Sequence, residues 1–140
     1  MRKYLHVFAI LLFVLATLWQ CLFWGGASTL PDMGTAIRRS AVREAPLVAG
    51  LMVCGELLGK AVPPLGDVGR NWAREALGPA KERLEADPGV AMDLLFGESL
   101  SSSQRLATRG VYALPVLLIL AVIAWIRRPR QVRLMGAKRR

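Results

Sequence analysis

Histidine and cysteine are scarce in this sequence. One histidine, His6, and two cysteines, Cys21 and Cys54, are all that its 140 residues hold. A site built from several histidines, for a metal or a haem, is therefore excluded within the chain. Two cysteines cannot make the disulfide framework of a small secreted domain either. Cys21 stands in a long apolar run and Cys54 in a shorter one. They can pair only if the second segment folds back against the far end of the first, so two buried, unreactive thiols are the expectation.

Catalytic fingerprints are missing as well. No H-E-x-x-H, C-x-x-C, G-x-S-x-G, phosphate-binding loop or dinucleotide motif occurs. Asp67, Glu82, Asp87, Asp93 and Glu98 are scattered through polar segments. Ser101 to Ser103 have no histidine base nearby, so the logic of a nucleophilic triad fails. A protein that is not an enzyme and binds no cofactor is expected. Period-two alternation is almost absent, so there is almost no strand signal, and no internal repeat is found.

Charge is absent from two stretches. Tyr4 to Trp24, YLHVFAILLFVLATLWQCLFW, has 21 residues and no formal charge with His6 neutral. At about 1.5 Å per residue it reaches roughly 30 Å, the thickness of a bilayer core. Tyr4 lies at one end and Trp19 and Trp24 near the other, where amphipathic rings favour the membrane interface. His6, near the basic start, reads as an interfacial side chain. The rival reading is a cleaved signal peptide, with GGA at Gly25 to Ala27 before Ser28. Its apolar core is longer than such peptides use and its cleavage region is crowded with aromatic rings. Cys21 makes a poor lipoprotein site because Trp19 and Gln20 stand where small residues are needed.

The second stretch, GVYALPVLLILAVIAWI, runs from Gly110 to Ile126. Pro115 inside it would leave the carbonyl of Val111 without its helical partner. The helix is therefore expected to begin around Ser101 to Gln104, with serine hydroxyls to cap it, and to cross the membrane over 108–126.

The net charge of +9 lies outside these two runs. Between Gly25 and Gly110 ten basic residues balance ten acidic ones. Arg2 and Lys3 precede the first run, and seven basic residues follow the second. Such an arrangement follows the positive-inside rule for a chain that crosses twice. The expected fold is an all-α integral membrane protein. Residues 1–3 are a cytoplasmic N-terminus, 4–24 the first transmembrane helix, and 25–107 a small extracytoplasmic region of short helices. Residues 108–126 form the second transmembrane helix and 127–140 a basic cytoplasmic tail. Arg127, Arg128, Arg130 and Arg133 are placed to touch anionic phospholipids. The tail has no interleaved aromatic residues, so nucleic acid is not an expected partner.

The middle region is read as helices broken by Gly and Pro. Asp32 to Arg43 is one. The apolar segment 45–58, with Pro46 in its first turn, is too short to span and is expected to be re-entrant or interfacial. A third crossing would place the basic tail on the wrong side. The stretch DVGRNWAREALG forms another helix that ends at Gly78 and Pro79, a polar helix follows, and Asp87 and Pro88 begin a further one.

Glu56 stands out as a carboxylate in an apolar segment. It is either a buried acid that meets a partner or a surface group helped by Lys60 one turn on, and the acid-before-base spacing favours the second. Gly50 and Gly55 would let another helix approach closely. Together these features lead to the expectation of a non-catalytic inner-membrane accessory, assembly or scaffold subunit of a larger bacterial complex, such as a secretion, conjugation or envelope system. Other membrane subunits are its expected partners and both termini are cytoplasmic. The alternative is a homo-oligomeric small channel, transporter or holin-like pore former. The near absence of a polar stripe along either span weighs against it.

Overall fold

The computed structural model describes residues 4–30, 33–86 and 102–127. Among them the chain is all-helical, with no strand and five helices. These are α1 (Leu5–Ser28), α2 (Met33–Glu44), α3 (Pro46–Ala61), α4 (Pro63–Ala86) and α5 (Ser102–Ile126). The helix expected from Asp87 and Pro88, and the tail residues Arg128, Arg130 and Arg133, lie outside the described residues.

Proline sets two of the boundaries. Ala45 (φ −140°, ψ 78°) and Val62 (φ −129°, ψ 90°) are both extended, and each precedes a proline. The proline ring clashes with a preceding residue in the helical region, so the chain breaks there and restarts with Pro46 and Pro63 in first turns. α5 begins at Ser102, where the serine cluster placed it, and carries Pro115 in its interior.

Four boundaries differ from the expectation, the first being the start of α4, which lies at Pro63 and not at Asp67. α1 continues past Trp24 through Gly25 and Gly26 to Ser28. The Ser28 hydroxyl donates to the Gly25 carbonyl (2.8 Å) and the Thr29 hydroxyl to the Gly26 carbonyl (2.8 Å), so the last turn is satisfied locally. α3 runs through Gly59 to Ala61, because this glycine is a packing surface: a Cβ there would stand 3.2 Å from the Cα of Gly66 in α4. α4 passes through Gly78 and Pro79 as one helix. Gly78 offers no Cβ to the following ring and has open space around it, and Glu75, whose carbonyl loses its partner, is on the exposed side.

Two helices are long and apolar enough to cross a membrane: α1, and residues Thr108–Ile126 of α5. They pack antiparallel. Gly110 of α5 meets the side chain of Gln20, and at the opposite end Arg127 shares a groove with Leu5 and His6. The C-terminal third of α1 is enclosed. Trp24 joins Ile37 and Ala41 of α2, Val48 and Met52 of α3, and Ala73 and Leu77 of α4 in one core. Trp24 is thus 1% exposed and serves as the centre of the bundle, whereas the sequence reading put it at a membrane interface.

The other two thirds of α1 remain uncovered on its outward side. Leu5, Phe8, Leu11, Leu15 and Leu18 are exposed there, and so are Val116, Ile119, Leu120 and Ile123 on the antiparallel stretch of α5. Exposed aromatic rings mark both edges of this apolar belt. Tyr4 and Trp125 stand at one edge, and Trp19, Trp72 and Tyr112 at the other. Trp72 of α4 lies against Trp19 with ring centroids 4.3 Å apart.

Candidate functional site

The region around Glu56 is built on glycine. A Cβ on Gly25 would stand 2.6 Å from the Cα of Gly55, and one on Gly26 would stand 2.7 Å from the amide nitrogen of Arg70. A third pair, Gly59 and Gly66, closes the turn between α3 and α4. Backbone therefore meets backbone where α1, α3 and α4 converge, an approach that any side chain would prevent. The junction leaves a hollow of about 240 Å³ lined by these glycines, Thr29, Glu56, Lys60 and Arg70.

Glu56 forms an ion pair with Arg38 of α2; the side chains are 28% and 50% exposed. Its cation thus comes from a different helix than the sequence spacing suggested. Lys60 lines the same hollow, and no partner for it is found among the described residues. Arg70 pairs within α4 with Asp67 at 2.6 Å. A pair as open to solvent as Arg38–Glu56 clamps α2 to α3 only weakly, typically by about 0.2–1 kcal/mol.

The two glycines singled out from the sequence have different surroundings. Gly55 is buried within the chain's own packing, against Gly25 and Cys21. Gly50 is exposed, and a Cβ there would meet nothing within 4 Å. Around it Leu47, Val53 and Leu57 are exposed at helical spacing, so the outer face of α3 is an apolar stripe with a notch at Gly50. Arg127 is exposed at the end of α5.

The two cysteines lie on the helices that meet at the α1–α3 contact. Both are free; Cys21 is buried, and Cys54 is exposed rather than buried as expected. Gly55, the neighbour of Cys54, packs directly on the backbone of Cys21. α3 has folded back against the far end of α1, the geometry on which the pairing of the two cysteines depended.

Two polar residues of α1 have local partners. The Thr17 hydroxyl donates to the Phe13 carbonyl at 2.8 Å, and buried Gln20 accepts from the Trp24 indole at 3.1 Å. Of the glycine junction, Gly55 was legible in the sequence as a point of close helix approach, and its partnership with Gly25 of α1 was not. The signal that went unread was the spacing Gly55-x-x-x-Gly59, which in an apolar helix marks a close-packing face. Comparisons with known protein families, with curated proteins and with solved structures found no match to this chain.

Proposed function

We propose that this chain is a non-catalytic accessory or assembly subunit of a bacterial inner-membrane complex, anchored by α1 and α5 and engaging another membrane subunit through the outer face of α3. The membrane part of this reading is supported by the apolar belt between two aromatic rims. Rings at both edges are what a bilayer's two interfaces favour. The antiparallel pairing of α1 and α5 puts both outer ends on one side. The sequence adds basic residues at both ends, which supports a cytoplasmic side there.

One observation carries the partner: the notch at Gly50 within the Leu47, Val53 and Leu57 stripe. The opposite face of α3 is already used by the core through Val48, Leu51, Met52 and Gly55. A helix apolar on all sides is normally covered on all sides. A glycine in the middle of the free face admits a second helix to close backbone distance, a geometry that association inside membranes uses.

The test is a mild-detergent pull-down of the C-terminally tagged chain from native membranes, with co-purifying proteins identified by mass spectrometry. A stoichiometric set of other subunits, lost in Gly50→Leu, is the expected result. Recovery of this chain alone as a defined oligomer would replace the accessory reading with the homo-oligomeric pore. Thr17, whose hydroxyl bonds the Phe13 carbonyl within α1, and Gln20, which is buried against Trp24, line no polar stripe and count against that alternative.

A further inference from the structure

The two candidate spans touch closely at Gly110 and Gln20, yet at the opposite end they leave a groove of about 360 Å³ between them. Phe8, Ala9, Leu120 and Ala124 contribute to its apolar wall, and His6 and Arg127 are the polar side chains among its lining residues. Both lie at the end of the groove remote from the bundle. Its shape is a greasy slot with a basic mouth.

Size decides what fits. A helix of about 10–12 Å diameter rising 1.5 Å per residue fills roughly 120–170 Å³ for each residue, so the groove would take about two or three residues of one. A partner helix is too thick. An acyl chain is thin enough, and lipid is the only apolar material that reaches such a slot along its whole length in a membrane.

From this geometry we infer that the groove between α1 and α5 is a binding site for one anionic phospholipid, with an acyl chain along the Ala9 and Ala124 wall and the headgroup phosphate at Arg127 and His6. The inference rests on the membrane reading above. The Arg127 guanidinium offers planar paired donors that match a phosphate, and His6 can add a ring N–H. A basic pocket between spanning helices at the cytoplasmic side is a recurrent way of holding such headgroups. It differs from the diffuse attraction of a basic tail in having a fixed stoichiometry and a wall that a substitution can fill.

The experiment has two stages. Native membranes carrying the full chain are first washed with alkaline carbonate. A chain released by the wash overturns the membrane reading and this site together. A chain that stays is purified in mild detergent with equal amounts of phosphatidylglycerol and phosphatidylcholine, and retained lipids are counted by native mass spectrometry. One retained phosphatidylglycerol per chain is expected. Retention should fall about fivefold in Arg127→Gln, as loss of one surface cation implies, and further in Ala9→Phe, which fills the wall. His6→Gln, a change at the mouth that leaves the packing alone, should lower it less. The triple change Arg128→Gln, Arg130→Gln, Arg133→Gln should leave it in place. Equal retention of both lipids, or loss with the tail changes and none with Arg127→Gln and Ala9→Phe, would overturn the site while leaving the membrane reading intact.

Discussion

Gly25 of α1 and Gly55 of α3 meet backbone to backbone: a Cβ added to Gly25 would stand 2.6 Å from the Cα of Gly55, far inside the contact distance of two carbon atoms. This contact sets how α3 seats on α1 and therefore which face of α3 is left outside.

Gly25→Ala and Gly55→Ala should both destabilise the bundle, by about 1–3 kcal/mol or more, because the new methyl has only backbone to push against. Gly50→Ala, on the same helix as Gly55, should be neutral or slightly stabilising, since Ala is the better helix former and nothing crowds the position. Thermal unfolding in detergent, followed by tryptophan fluorescence, measures all three. Equal losses at Gly50 and Gly55 would mean that α3 is not seated on α1 as described.

Gln20 and Trp24 form a buried hydrogen bond one turn apart on α1. Gln20→Leu strands the indole N–H in the core, a loss of about 1–3 kcal/mol. Replacing the ring as well, with Gln20→Leu and Trp24→Phe together, should recover part of that loss, because the stranded indole N–H is removed too. A double-mutant cycle on the same unfolding signal reads the coupling, and strict additivity would argue against the bond.

Cys54 stands next to Gly55, which packs on the backbone of Cys21 where α3 meets α1. Mild oxidation of purified protein with copper phenanthroline should link the two cysteines within one chain, seen as faster migration on a non-reducing gel and abolished by Cys54→Ser. The exposed Cys54 should also react with a maleimide well before buried Cys21 does. A purely intermolecular crosslink would contradict the packing of α3 on α1.

The Arg38–Glu56 pair is half open to water, so Arg38→Gln and Glu56→Gln should each cost no more than about 1 kcal/mol, an effect that fades in high salt. Lys60→Gln, by contrast, should leave stability almost unchanged. A large loss at Lys60 would restore the intrahelical partner that the spacing of Glu56 and Lys60 suggested.

By itself the sequence determined the features that depend on local composition. It set the all-helical class, the two long apolar helices, the start of α5 at its serine cluster, and the break before Pro46. Each follows from propensity, hydropathy or proline sterics acting within a few residues. Only the tertiary structure decided the rest. Trp24 looks like an interface residue from its place near the end of an apolar run, and only the arrival of α2, α3 and α4 buries it. Glu56 takes Arg38 over Lys60 because α2 lies alongside α3, a relation eighteen residues apart in the chain. Gly50 and Gly55 are alike in sequence and opposite in place: a glycine records that a backbone can come close, and only the packing of α1 shows at which of the two it does.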